Sequence, residues 1–221
     1  MINYKVIDLD SYPHKAHLDY FLTMVNPVAS ATVEIDVTDL KNFCKSEGVS
    51  FFLSFLHVVA LASDDIPQFR QRIHKLNDIG DYEIREYEQC PTSHTESQEG
   101  DLYGYCTVYH HMPWKEYILK ATKVQEEARK NTTLEEDDDI EACSYVTCVP
   151  WIHYSCINLP WGDVYDSNIR FSWGKYVSDD KGKIKMPLSV SFNHGLIDGR
   201  QAGLFYENVE KYMKKIINGE L

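Results

Sequence analysis

Apolar residues recur every three or four positions in five stretches of the chain: Lys15–Met24, Thr38–Ser46, Phe51–Ser63, Trp114–Asn131 and Arg200–Ile217. That period lays the apolar side chains on one face of a helix, so each stretch predicts an amphipathic helix. Elsewhere the pattern shortens to alternation or to runs rich in β-branched and aromatic residues. Val28–Asp36, Tyr82–Tyr87, Tyr103–His110, Ala142–Val149, His153–Asn158, Ile169–Val177 and Ile184–Asn193 therefore predict strands. The punctuation agrees with these elements. Val37-Thr38-Asp39 offers capping chemistry, Gly48 a stop, and Asp180-Lys-Gly182 a hairpin turn. Strands dominate the C-terminal half with helices mixed in, which gives an α/β or α+β protein with a large mixed sheet.

Length and composition narrow the function classes. A chain of 221 residues is one large domain or two small ones, and it buries a sizeable core without disulfide or metal. Neither a repeat nor a low-complexity linker divides it, and the acidic run Glu135–Asp139 predicts a solvated loop. A net charge of −12 argues against a general nucleic-acid binder, which needs a basic surface to displace counterions. The N-terminus lacks a signal pattern. The longest apolar run, Phe51 to Ala62, is too short to span a bilayer, so no membrane role is expected. Six cysteines include no C-x-x-C pair. A metal site is not expected, and reduced thiols in a cytoplasmic protein are. Cys148, in an apolar run, reads as core filling more readily than as a nucleophile. The chain also lacks G-x-G-x-x-G, P-loop and G-x-S-x-G motifs, so nucleotide and serine-hydrolase readings have no anchor.

The stretch that carries chemistry runs from Met186 to Arg200. An alternating strand, Leu188–Phe192, leads into Asn193-His194, then Gly195-Leu-Ile197, Asp198-Gly199 and the helix. A His at a strand end before a glycine is placed to point into a cleft, and imidazole suits general-base work. Asp198 can brace the turn. The plainer reading is a satisfied loop His and a helix-capping Asp.

Two more segments bear on that choice: Thr147-Cys-Val-Pro-Trp-Ile152 and Phe171-Ser-Trp-Gly-Lys-Tyr176. Together with Pro187-Leu-Ser-Val190 and His194-x-x-x-Asp198-Gly199, their order and spacing resemble the chloramphenicol acetyltransferase family. The likeness reaches the N-terminus through Tyr4–Asp8, His17–Phe21, Ser30–Thr32, Ile35-Asp36 and Ile66–Arg70, so it covers essentially the whole chain. It implies a two-layer, mixed-sheet α/β fold of CoA-dependent acyltransferases, with residues 1–221 forming a single acetyltransferase domain. It implies a cytoplasmic homotrimer with active sites between subunits. Acetyl-CoA and a small-molecule alcohol enter from opposite ends of a tunnel, and no metal takes part. The role associated with the family is antibiotic resistance.

Residue by residue, the resemblance makes His194 the base that takes the hydroxyl proton as the alcohol attacks the thioester directly. Asp198 would hold the loop, and Thr147, in place of the family's Ser, would donate to the oxyanion. Tyr20, Phe21, Ala29, Leu159, Trp161 and Ser172 would face the acceptor. Trp151, Lys175 and Tyr176 would line the acetyl-CoA end, with Lys181, Lys183 and Lys185 nearby. The bland alternatives are core packing for the aromatics, a β-branched strand residue for Thr147 and a solubilising hairpin for the lysines. Four departures stand out. Asn193 replaces a His. His14, beside Lys15, stands where the family has the Arg that pairs with the loop Asp, so a His14–Asp198 pair is expected. Ser50-Phe-Phe-Leu53 lacks the family's Lys and Pro. Ala29 replaces a pocket aromatic. These put chloramphenicol itself in question as acceptor. The alternatives are a non-catalytic trimeric small-molecule binder and a dihydrolipoamide acyltransferase core.

Overall fold

Local chemistry marks some helix ends, but not the start of Thr38–Glu47: its N-cap is Val37, and the capping expected at Val37-Thr38-Asp39 is absent. Ser50 caps the helix Phe51–Asp64 (α3) by accepting the Leu53 N–H at 3.3 Å, and Gly48, at φ 67°, closes Thr38–Glu47 (α2) in the left-handed region. The other helices are Lys15–Phe21 (α1), Trp114–Ala128 (α4) and Gly199–Ile217 (α5). This computed structural model describes residues 2–97, 103–130 and 139–221. The acidic run, apart from Asp139, and the last residue of the expected 114–131 helix lie outside the described residues.

The strands are Tyr4–Ile7 (β1), Val28–Asp36 (β2), Gln71–Lys75 (β3), Tyr82–Tyr87 (β4), Thr92–Ser97 (β5), Tyr103–Val108 (β6), Ser144–Val149 (β7), Arg170–Gly174 (β8), Val177–Ser178 (β9) and Ile184–Asn193 (β10). A small antiparallel sheet runs β1-β4-β3. The large one runs β2-β10-β8-β7-β5-β6, with β9 hairpinned onto β10. It is mixed: β5, β7 and β8 run parallel, while β2–β10, β10–β8 and β5–β6 are antiparallel.

The faces of the large sheet differ because the period-2 pattern places side chains alternately. One face carries Leu188, Val190, Phe192, Phe171, Trp173 and Val146, all buried. The helices cover it: Phe205 of α5 stacks on Phe171 at 5.0 Å, and Phe55 of α3 meets Trp173 edge-on at 5.1 Å. Each such side chain contributes about 1.5–3 kcal/mol by leaving water. The opposite face is a field of hydroxyls. Thr147, Ser172, Ser189 and Thr32 stand in register across β7, β8, β10 and β2. The Thr32 and Ser189 oxygens are 2.7 Å apart, and Ser30 donates to Ser191 at 2.8 Å.

Three strands were hidden from the hydrophobic pattern, and one expected strand is absent. β5 reads as polar because its core-facing positions are His94 and Glu96, paired at 3.1 Å and closed by Gln125 and Arg129 of the α4 segment. β3 is masked by Arg72, which is 1% exposed and donates to the carbonyls of Phe69, Gln71, Glu141, Ala142 and Cys143. β1 is a short edge strand, mostly exposed. His153–Asn158 is not a strand: it lies across the hydroxyl face of the large sheet, where the Tyr154 O–H donates to Ser172 at 3.2 Å and His153 Nε2 sits 3.3 Å from Glu34, and so it pairs with no strand. The expected strand over 169–177 breaks at Gly174 into β8 and β9.

Candidate functional site

His194 follows the last residue of β10, and the chain around it is tied down. Its backbone N–H donates to Pro27 O at 2.7 Å, extending the β2–β10 pairing one residue further. Its Nδ1 lies 2.9 Å from Ile197 O. A carbonyl only accepts, so Nδ1 carries the proton and Nε2 keeps its lone pair. The ring stacks on Phe21 of α1 at 4.3 Å and meets Phe192 edge-on at 6.3 Å. α1 comes this close because residue 195 is glycine: a Cβ there would meet Leu18 Cδ1 at 2.8 Å and Leu18 Cα at 3.3 Å. Asn193, fully buried, joins the turn to its neighbours. Its amide donates to Val164 O at 2.9 Å and Asp166 O at 3.1 Å, and its oxygen accepts the Gly195 N–H at 3.0 Å. Phe21, with Tyr20 edge-on to it at 5.3 Å, is thus brought to His194. Ala29 pairs in register with Phe192 beside them.

Thr147 sits elsewhere. It lines an open cavity of about 420 Å³ with Leu159, Ser93, Tyr103, Tyr105, Tyr145 and Arg170. Trp161 is adjacent, its ring 3.8 Å from the Arg170 guanidinium carbon. Ser172 is buried, and its hydroxyl accepts the Tyr154 O–H at 3.2 Å. The register measures the gap between the two groups. Thr147 is level with Ser189, two strands away, and His194 lies five residues further along β10. At about 3.4 Å per residue and 4.8 Å per strand, His194 and Thr147 of one chain are about 20 Å apart. One chain by itself cannot aim both at the same carbonyl.

A sequence model of the chloramphenicol acetyltransferase family matches residues 2–210. The chain belongs to the chloramphenicol acetyltransferase family. The curated chloramphenicol acetyltransferase of Proteus mirabilis is 21% identical over 209 residues, covering 94% of this chain and 93% of its own. That of Staphylococcus aureus is 23% identical over 227 residues, covering 97% and 98%. A solved chloramphenicol acetyltransferase superposes with a TM-score of 0.77 at 22% identity, over 96% of this chain and 98% of its own. The cubic core of a pyruvate dehydrogenase multienzyme complex follows at a TM-score of 0.64 and 17% identity, over 93% and 88%. At such identities these structural likenesses bear on the fold alone: a mixed-sheet α/β architecture shared with acyltransferase cores.

Membership makes the chain an acyltransferase, and its departures from the family pattern can be located. The expected His14–Asp198 pair is a correction. Asp198 caps α5, accepting the Arg200 N–H at 2.8 Å, while Gln201 returns a bond to the Asp198 N–H at 3.2 Å. No ion pair joins Asp198 to His14 among the described residues; His14 lies 5.9 Å, ring to ring, from both Tyr12 and His17. The physical reason is the unpaired N–H groups at the start of a 19-residue helix, which draw the carboxylate.

Lys175 and Tyr176 line an apolar cavity of about 300 Å³ with Phe51, Phe52, Cys148, Pro150 and Trp173. Trp151 is exposed beside it. The segment after Trp151 lies against the end of β8: Lys175 N–H donates to Ile152 O at 2.7 Å, and a Cβ on Gly174 would meet that oxygen at 2.5 Å. Of the expected lysine cluster, Lys183 is engaged by Asp36 at 2.7 Å and Lys185 by Glu34 at 3.4 Å. A cation that no motif marked, Lys41 of α2, stands 3.8 Å from the Tyr176 ring centre. Burial pushes the Cys148 thiol up to about 11, which keeps it protonated and unsuited to nucleophilic attack. The sequence pattern also passed over Tyr103 and Tyr105 in the Thr147 cavity. Their two-residue spacing on a strand was the available signal.

No helix among the described residues is long and apolar enough to cross a membrane.

Proposed function

We propose that residues 1–221 act as one acetyltransferase domain that moves an acetyl group from acetyl-CoA to a hydroxyl of chloramphenicol or a related alcohol. The observation that carries this reading is the fixed tautomer of His194: Nδ1–H is held by Ile197 O, leaving Nε2 free to accept a proton. An alcohol is a poor nucleophile at neutral pH, and a positioned base is worth ~10²–10⁴-fold. Nε2 takes the hydroxyl proton as the oxygen attacks the acetyl carbonyl. The Thr147 hydroxyl donates to the resulting oxyanion. Collapse expels the CoA thiolate, which recovers the proton from His194. No acyl-enzyme forms. The apolar cavity at Phe51, Trp173 and Tyr176, with Lys41 and Lys175 at its rim, offers acetyl-CoA both an apolar wall and cations for its phosphates.

The separation of about 20 Å between His194 and Thr147 supports a closed ring of three chains, in which one chain's base faces the next chain's oxyanion donor. Tyr20, Phe21 and Ala29 would then reach the acceptor from the His194 side, and Leu159, Trp161 and Ser172 from the other.

CoA-thiol release from acetyl-CoA, measured with chloramphenicol, a panel of other alcohols and dihydrolipoamide, tests the reading. Release that depends on an alcohol supports it, and the best acceptor identifies the pocket's ligand. Release only with the dithiol assigns the chain to thiol acylation. Ligand binding without any release makes it a binding protein.

A further inference from the structure

Away from both cavities, three donor atoms converge where α3 ends. Asp64 is the last residue of α3, and His110 and His111 lie in the connection from β6 to α4. Asp64 Oδ2 is 2.8 Å from His110 Nε2 and 3.1 Å from His111 Nε2, and the three donor atoms all lie within 4.8 Å of one another. The Asp64 and His110 side chains are 7% and 0% exposed, whereas His111 is 45% exposed and opens the cluster to water.

The surroundings hold this arrangement in place. The Cys90 N–H approaches both Asp64 oxygens, at 3.3 and 3.2 Å. The His110 carbonyl accepts from His57 Nε2 at 3.0 Å and from the Met112 N–H at 2.7 Å. The nearby strong cations are engaged elsewhere. Arg70 donates to the Asp64 carbonyl and the Tyr87 carbonyl and faces Glu86, and Lys211 pairs with Asp65 at 3.0 Å. Among the described residues no Lys or Arg pairs with the Asp64 carboxylate. A carboxylate this far from water calls for a cation. The C-terminal end of a 14-residue helix adds to that demand, because its dipole disfavours a carboxylate there.

We propose that Asp64, His110 and His111 form a site for a divalent transition-metal ion, with Zn²⁺ the fitting occupant. Two imidazoles with one carboxylate make a nitrogen-rich donor set that suits Zn²⁺, whereas Mg²⁺ and Ca²⁺ take oxygen sets. Zinc ligands sit ~2.0–2.2 Å from the ion, so tetrahedral neighbours are about 3.3 Å apart. The two N···O separations, 2.8 and 3.1 Å, need at most about half an ångström of widening, and the two imidazole nitrogens, within 4.8 Å of each other, close onto the ion. The fourth position faces solvent beside His111 and takes water. None of the three residues lines the cavity of Thr147 or that of Tyr176, so the ion's role is to pin the end of α3 to the β6–α4 connection.

The test is a calorimetric Zn²⁺ titration of EDTA-treated protein, with thermal unfolding and Co²⁺ absorption measured in parallel. Wild-type protein is expected to bind one Zn²⁺ per chain in the micromolar range or tighter and to give visible Co²⁺ bands. At about a hundredfold excess over Kd its Tm should rise by roughly 5–10 °C. His111→Gln, a half-exposed change that leaves the metal-free Tm near wild type, should weaken binding at least about tenfold and remove the Tm rise. Asp64→Asn, which keeps the shape and loses the charge, should do the same. Wild-type protein that binds no Zn²⁺ in this range overturns the proposal. So does Zn²⁺ binding that is equal in wild type and both variants, which would place the ion at other surface histidines.

Discussion

Around His194 the polar groups of the turn find partners within the chain: Nδ1 on Ile197 O, the backbone N–H on Pro27 O, and Asn193 bridging to Val164, Asp166 and Gly195. The Thr147 hydroxyl makes no hydrogen bond among the described residues and faces an open cavity walled by tyrosines and Leu159. The proposed base is thus built and oriented before any substrate arrives. The proposed oxyanion donor stands on a polar sheet face that the chain's own helices leave uncovered. The contrast teaches where pre-organisation lies: in the proposed mechanism one half of the chemistry is internal to the fold, and the other would be completed by what docks against that face.

Replacing the internal half should have the largest effect. His194→Ala is expected to lower turnover by ~10²–10⁴-fold with acetyl-CoA binding nearly intact, read by steady-state kinetics and calorimetry. Retention of more than about a tenth of wild-type turnover would remove His194 from the role of base. Thr147→Val deletes a hydroxyl at near-constant volume and should cost ~10²-fold in kcat with little change in KM. An unchanged kcat would make Thr147 structural.

The comparison sharpens when the two variants are mixed. Unfolded together and refolded, His194→Ala and Thr147→Val chains should recover about a quarter of wild-type sites by random assortment in a symmetric ring. Turnover no better than the average of the two separate variants would show that the two residues do not serve one site across chains.

Smaller effects come from the packing that aims His194. Gly195→Ala drives a Cβ against Leu18, on the same helix as the stacked Phe21. It should lower stability by about 1–3 kcal/mol, a Tm loss of roughly 2–10 °C, and reduce kcat as the ring loses its seat. A wild-type Tm and kcat would mean that α1 does not position the base. The smallest effect is expected at His14, which has no ion pair with Asp198. His14→Arg should leave the pH–rate profile unchanged, and a shifted alkaline limb would restore the pairing that the capping of α5 excludes.

All five helices were legible as 3.6-residue periodicity, because the apolar residues that the core takes up recur at that spacing. β2, β4, β6, β7, β8 and β10 were legible for the matching reason at period two. The family was legible from Thr147–Ile152, Phe171–Tyr176 and His194–Gly199 together, since strand order and turn geometry hold those segments at fixed spacing. Sequence alone thus determined the mixed α/β class and singled out His194 as a candidate base at a strand end. It did not reveal β3 and β5, whose buried positions are Arg72, His94 and Glu96: charges satisfied by distant carbonyls and side chains leave no hydrophobic signature. Nor did it place Asp198, because the choice between an ion pair and a helix cap depends on which donors the fold brings within 3 Å. The separation of His194 from Thr147 was likewise decided by tertiary structure alone. Strand register sets positions 47 residues apart in sequence two strands and five residues apart on one sheet, and no local pattern encodes a distance between strands.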